Sequence, residues 1–196
     1  MDESAAPPFR NGQGIIREMP TQSTLLGAAG EHHVMAELLR RGYIAALAPQ
    51  GVPIADIVVT DVEGARLCSI QVKTRRDIGS DGGWHMKEKH ERIRGNRLFY
   101  CFVDFGKTTD TRPAVHVLPS AVVADVLARS HRKWLTTPGK NGRAHKDTQM
   151  RRLLPDYARV FGAEDNPYPH GWLDAYRDAW HVLKLEARDP AREHEP

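Results

Sequence analysis

Glu31, Asp56, Gln71 and Lys73 are the residues whose types and placing could do chemistry together. The stretch from Thr24 to Arg41 has a helical pattern. At about 100° per residue, Val34, Met35 and Leu38 cluster in a narrow arc and Glu31 points into its middle, while His33, Glu37 and Arg40 fall opposite. A carboxylate centred on an apolar stripe is costly unless it is paired, hydrogen-bonded or bound to a metal. The alternative is that Glu31 lies near the start of the helix, where acids are favoured and the end is wet. In Cys68-Ser69-Ile70-Gln71-Val72-Lys73, strand alternation sends Cys68, Ile70 and Val72 one way and Ser69, Gln71 and Lys73 the other. The apolar set belongs to the core, so Gln71 and Lys73 project together from the other face, either into a site or, as on any half-exposed strand, into water. Asp56 follows Pro53-Ile54-Ala55 and opens the run Ile57-Val58-Val59. If the next turn is the four-residue loop Val62 to Ala65, Asp61 pairs with Arg66, and counting outward sets Asp56 opposite Gln71. An Asp at such a place is otherwise a turn former. Together the three features predict one pocket with two carboxylates, an amide oxygen and an ammonium. Oxygen donors of this kind suit a hard divalent ion, Mg²⁺ with Mn²⁺ as a substitute. Such an ion polarises a phosphoryl oxygen and acidifies a bound water. A lysine beside it can orient the water or stabilise a pentacovalent phosphate.

Gly30-Glu31, Pro53-x-x-Asp56 and Gln71-Val72-Lys73-Thr74, in that order and spacing, resemble the PD-(D/E)XK nuclease superfamily with its restriction-endonuclease-like fold. Ile70-Gln71-Val72-Lys73-Thr74, after a helix ending in Arg41-Gly42-Tyr43, is most similar to the branch with Gln in place of the third acid, which includes certain group I intron homing endonucleases. The match runs from roughly Leu25 to Leu118, with Val117-Leu118-Pro119-Ser120 echoing the family's next strand and helix. The resemblance implies an α/β fold with a central mixed, mainly four-stranded sheet flanked by helices. It implies a Mg²⁺-dependent endonuclease that hydrolyses phosphodiester bonds, in DNA before RNA. Asp56 and Gln71 would be metal ligands, Glu31 a direct or water-mediated ligand, Val72 a ligand through its carbonyl, and Lys73 the catalytic lysine. Gln71 removes one negative charge from the family pattern. The competing class is therefore a nuclease scaffold without catalysis, serving to bind nucleic acid or protein. Cutting both strands of a duplex takes two such centres, which a homodimer would supply.

These residues need a scaffold, and the rest of the chain provides its outline. Residues 1–23 carry prolines and glycines without periodicity and read as a flexible arm. Residues 24–130 form the nuclease-like core. In it Gly42 stops the first helix, strands are expected at Ile44 to Ala48, Ile57 to Val59, Leu67 to Val72, Leu98 to Val103 and Ala114 to Leu118, and a helix follows with Ser120 as N-cap. Leu98-Phe99-Tyr100-Cys101-Phe102-Val103 is an apolar run of the kind a strand buried on both faces shows. Residues 131–169 read as a basic loop or extension. Residues 170–187 read as a C-terminal helix on the spacing of Trp172, Leu173, Tyr176, Trp180 and Leu183, and 188–196 as a disordered tail.

Charge is concentrated. The chain of 196 residues carries a formal net charge of only +3. Yet Arg129, Arg132, Lys133, Lys140, Arg143, Lys146, Arg151 and Arg152 stand close together against the single acid Asp147. A phosphate backbone requires such a patch, although most charge runs are simply solvated. Arg75 and Arg76 would extend it to the edge of the site, and Trp84, His85 and Trp134 are either stacking platforms for bases or packing aromatics. Composition excludes other classes. No stretch approaches the roughly 20 apolar residues of a membrane span, and mean hydropathy is -0.53. Met1 to Arg10 lack the apolar core of a secretory signal. Cys68 and Cys101, far apart in apolar runs, make neither a disulfide framework nor a zinc site and fit a reducing cytoplasm. No GxxxxGK[ST] loop supports nucleotide-driven work.

Overall fold

The computed structural model describes residues 21–185 apart from 50, 52 and 79–81. Most of the expected arm and all of the expected tail lie outside the described residues. Helix α1 (Gln22–Arg40) starts where Thr21 Oγ1 accepts the Thr24 N–H at 3.2 Å, and it ends before Gly42, whose φ of 80° suits glycine. The strands are β1 (Ile44–Leu47), β2 (Ile57–Thr60), β3 (Leu67–Arg75), β4 (Trp84–Lys87), β5 (Leu98–Asp104), β6 (Ala114–Pro119) and β7 (Met150–Leu153). The remaining helices are α2 (Ser120–Thr136) and α3 (Ala158–Phe161). The main sheet has five strands, not mainly four, in the order β1-β2-β3-β5-β6. Strands β3 and β5 are parallel, and the other neighbours are antiparallel. Strands β4 and β7 make a separate two-stranded antiparallel ribbon, β7 lying in the segment 131–169 read as a basic loop and β4 in the segment 24–130 read as the core.

Alternation along the strands divides the core between two faces. Ile57, Val59, Cys68, Ile70 and Val72 pack with Val34 and Leu38 of α1. Tyr100, Phe102 and Leu118 pack on the other face with Val123 and Leu127 of α2, and with Trp84, Leu153 and Tyr157. Strand β5 feeds both faces and is buried from Leu98 to Val103. Both cysteines are buried and free. Ser120 does not cap α2. It is the first helical residue, and its hydroxyl exchanges two hydrogen bonds with the backbone of Gly95, at 2.9 and 3.1 Å.

The expected C-terminal helix is replaced by two 3-10 turns, Asp174–Tyr176 and Trp180–Leu183. Leu173 belongs to the α2-side core and Trp180 and Leu183 to the α1-side core, so the segment must cross the edge of the sheet. It does so along β6, where Asp178, at φ 48°, donates its N–H to Val115 O at 2.8 Å. One rigid helix could not reach both faces.

Helix α1 sits tightly on β3. A Cβ added at Gly30 would lie 1.9 Å from Thr74 Oγ1 and 2.9 Å from Thr74 Cβ. In an isolated helix, Gly30→Ala would gain about 1 kcal/mol. Here the clash reverses the sign, and overpacking costs about 1–3 kcal/mol. Urea unfolding is expected to show that loss for Gly30→Ala, with part of it recovered when Thr74→Ala is added.

Candidate active site

The hairpin β2–β3 is built by its turn. Asp61 Oδ1 accepts the N–H groups of Ala65 and Arg66 at 2.7 and 3.3 Å, and Gly64 takes φ 70°. The ladder then runs in the expected register, from Thr60↔Leu67 to Ile57↔Ile70. At Asp56 the pattern changes. Its N–H also bonds the Ile70 carbonyl, at 2.9 Å, so Asp56 and Ile57 both address Ile70, the two-against-one arrangement of a β-bulge. The bulge aims the carboxylate along β3. Asp56 Oδ2 accepts from Gln71 Nε2 at 2.5 Å and from Val72 N at 2.7 Å.

The second carboxylate arrives from α1. The close Gly30–Thr74 contact holds the helix against β3, and the next residue, Glu31, is half-buried beside Asp56 and Lys73. Its pKa is raised, first by burial and then by the charge of Asp56, with His32 and Lys73 opposing. Lys73 has its pKa lowered, mainly by burial. Asp56 and Glu31 pull it back up, and Lys89 pushes it further down. Glu31, Asp56 and Lys73 are thus mutual electrostatic neighbours, and Gln71 is tied to Asp56 directly. The structure brings together the four residues singled out from the sequence.

The donor set bears on whether a cation fits. Among the described residues, no group of three or more His, Cys, Asp or Glu side chains could hold a metal ion. Gln71 stands where a third acid would complete such a group. Two carboxylates, the Gln71 amide and the Val72 carbonyl remain. Ile70 O and Val72 N both address the β2 side of β3, and alternation directs the Val72 carbonyl to that same edge, beyond the last rung of the ladder. Two carboxylates near enough that Asp56 raises the pKa of Glu31, next to an open carbonyl edge, form a hard-oxygen set of the kind that divalent ions take.

Sequence reasoning missed one neighbour of the site. His90 Nδ1 and Tyr100 Oη lie 2.7 Å apart, both residues buried, with Tyr100 beside Gln71 in the β3–β5 ladder. The pKa of Tyr100 is pushed up, mostly by burial and in part by Asp56. That of His90 is held down to about 4, first by burial and then by Lys73, Lys89 and Lys87. No periodic signal marks His90, because it sits in the short 3-10 turn Glu88–Glu91 that follows β4. Between pH 6.5 and about 4 the unfolded chain takes up a proton that folded His90 refuses. Stability due to neutral His90 is therefore complete above pH 6.5 and is lost as pH falls through that window. Thermal unfolding across it should flatten in His90→Gln.

The cations divide by environment. Arg76 lines the cleft that Lys73 borders, and its Nη2 donates to Lys107 O at 2.7 Å. Arg75 borders the same cleft, but it is bound to Asp104 through Nε at 2.9 Å and Nη2 at 2.6 Å and lies over the Trp84 ring at 4.1 Å. Arg151 does not belong to a phosphate-facing surface. It is 5% exposed, with Nε on Glu91 Oε1 and Nη1 on Met150 O at 2.9 Å. Arg132, Lys133, Arg143, Lys146 and Arg152 are exposed, while the side chain of Lys140 is outside the described set. Trp84 is core, 1% exposed, and its Nε1–H donates to Val103 O at 2.9 Å. Trp134 is stacked on His145 at 4.0 Å and on His131 at 5.4 Å, so its faces already have partners. His85 is exposed.

The architecture is a mixed five-stranded α/β sheet with helices packed against it and an acid–amide–lysine hairpin at its centre. Among solved structures, the chain is similar to a bacterial homing endonuclease, I-Ssp6803I, at 17% identity and a TM-score of 0.48, over 84% of this chain and 92% of that one. It is also similar to Hjc, a Holliday junction resolvase of Archaeoglobus fulgidus, at 17% identity and a TM-score of 0.38, over 65% of this chain and 82% of that one. No protein-family model and no curated protein matches the chain. Among the described residues, no helix is long and apolar enough to cross a membrane.

Proposed function

We propose that this protein is a divalent-metal-dependent nuclease that hydrolyses phosphodiester bonds in DNA. The observation that carries the reading is the juxtaposition of Glu31, Asp56 and Lys73, with Asp56 oriented by Gln71 and the Val72 N–H. Asp56, Gln71 through its amide oxygen, Val72 through its carbonyl and Glu31 are the residues that would hold Mg²⁺ or Mn²⁺. Bound there, the ion supplies polarisation of a phosphoryl oxygen and a more acidic water. Lys73 does the rest. Largely desolvated and placed between two carboxylates, its ammonium orients the attacking water and donates to the phosphate oxygen on which charge develops. The Asp56 hydrogen bonds fix the carboxylate against β3, so it need not reorganise during the reaction.

One observation favours a second reading. With Gln71 in place of an acid, no three-acid cluster exists among the described residues, as a scaffold that binds nucleic acid without cutting would show. Incubation with supercoiled plasmid and with branched DNA decides between the two. The nuclease reading expects cleavage in Mg²⁺ or Mn²⁺, none in EDTA, and its loss in Asp56→Asn. Salt-sensitive DNA binding without cleavage in either ion, or cleavage indifferent to Asp56→Asn, overturns it.

A further inference from the structure

The 3-10 turn Glu88–Glu91 is fixed beside the site from several sides. The Glu88 N–H donates to Gln149 O at 2.8 Å, His90 Nδ1 meets Tyr100 Oη at 2.7 Å, and Glu91 holds Arg151. Tyr100 is the ladder partner of Gln71, so His90 ties the turn to the stretch of sheet that carries Lys73. Lys89 lies among these anchors, and its own side chain is exposed. Its Nζ donates to Pro53 O at 3.3 Å, on the segment that leads into Asp56. The lysine therefore spans from the turn anchored on Tyr100 to the chain entering β2. Its ammonium is held at the mouth of the site and does not sweep through solvent.

Among the described residues, Lys89 makes no ion pair. The acids on either side of it in the turn are engaged, Glu88 with Arg92 at 2.6 Å and Glu91 with Arg151. An ammonium has donors to spare beyond the one that Pro53 O accepts. The charge of Lys89 is felt at Lys73, whose pKa burial lowers first and Lys89 lowers further, and at buried His90. Two ammonium groups held near each other repel, and a polyanion laid across them relieves that repulsion.

We propose that Lys89 binds the backbone phosphate next to the scissile one, on the strand presented to Lys73. The inference rests on the nuclease reading of the hairpin. In that reading both non-bridging oxygens of the scissile phosphate are addressed, one by the ion and one by Lys73. Lys89 is left to the neighbouring phosphate, since every nucleotide of the strand brings a charge of its own. A lysine meets a phosphate as a point charge and asks nothing of the base. The contact sets where the strand lies over Lys73 and does not choose a sequence. It is made in the ground state and the transition state alike, so its loss belongs in KM and not in kcat.

Lys89→Gln keeps a donor for Pro53 O and removes the charge. With the full chain and a fluorescein-labelled DNA duplex in EDTA, where cleavage plays no part, the variant is expected to bind about tenfold more weakly. The slope of log affinity against log salt should fall by about one. Arg40→Ala, at the last residue of α1, should leave both unchanged. In Mg²⁺ or Mn²⁺, Lys89→Gln should raise KM about tenfold with little change in kcat. A methylphosphonate placed beside the mapped cut, on one of its two sides, should raise KM for the wild type and add nothing in the variant. An unchanged salt slope overturns the proposal, as does an equal fall in Arg40→Ala. It is also overturned by a loss confined to kcat, which a mere brace for Pro53 would give, or by methylphosphonates that harm variant and wild type equally on both sides. A protein whose salt slope falls as described yet cuts nothing in either ion overturns the nuclease reading and leaves Lys89 as a phosphate contact. One that cuts DNA with KM and slope unchanged in Lys89→Gln overturns the contact and leaves the nuclease.

Discussion

Lys73→Met is expected to lower single-turnover DNA cleavage by about 10³-fold, the scale on which a positioned donor to a developing charge is felt. Methionine keeps the volume and the apolar stem, so the packing of β3 should survive. The ammonium is lost. In the wild-type chain it opposes the mutual repulsion of Glu31 and Asp56, and its own charge is tolerated at that depth because the two acids surround it. Without it, the pKa of Glu31, already raised by burial and by Asp56, should rise further. The variant should thus combine lost cleavage with unimpaired duplex binding in EDTA, as measured by fluorescence anisotropy. Equal cleavage by variant and wild type would remove Lys73 from the chemistry.

Glu91→Leu should destabilise the protein by about 3 kcal/mol, at the lower end of what breaking a buried ion pair costs. The Arg151 side chain is 4% exposed and that of Glu91 17%. The guanidinium keeps its bonds to the carbonyls of Thr148 and Met150, at 2.5 and 2.9 Å, and Asp147 stands 3.7 Å away. Those contacts soften the loss but do not replace the carboxylate. Because Arg151 lies in β7 and Glu91 in the turn after β4, the pair closes the ribbon onto the residues around His90. Guanidinium unfolding reads the stability. Adding Arg151→Met to Glu91→Leu should recover much of it, since a well-packed apolar pair avoids burying a lone charge.

The hairpin was legible because its information is local. Asp61 and Gly64 specify the turn, the turn fixes the register as far as Ile57↔Ile70, and Asp56, one residue further, reaches Gln71 with its side chain. Glu31 was legible as a charge where the helix should be apolar. The bulge at Asp56 was not, since nothing in Pro53-Ile54-Ala55-Asp56 marks an N–H turned to the Ile70 carbonyl beyond the last rung of the ladder. Strands β4 and β7 escaped for another reason. Each is four residues long, and each pairs with the other across β5, β6 and α2, which lie between them in the chain. Without that partner, Trp84-His85-Met86-Lys87 looks like loop. Charge counting failed at Arg151, because a run of cations does not reveal which one has an acid waiting beneath it. Spacing failed at the C-terminal segment, where Trp172, Leu173, Trp180 and Leu183 look like one helical stripe but serve opposite sides of the sheet.

That crossing segment has a consequence for biosynthesis. Trp180, Leu183 and Leu185 complete the layer beneath α1, Arg41 lies over Trp180 at 4.6 Å, and Tyr43 donates to Leu185 O at 3.4 Å. The helix that carries Glu31 is therefore translated early but cannot be sealed until residue 185 has cleared the ribosome exit. A nascent chain stalled before that point holds every ligand of the proposed centre and lacks the floor that would align them.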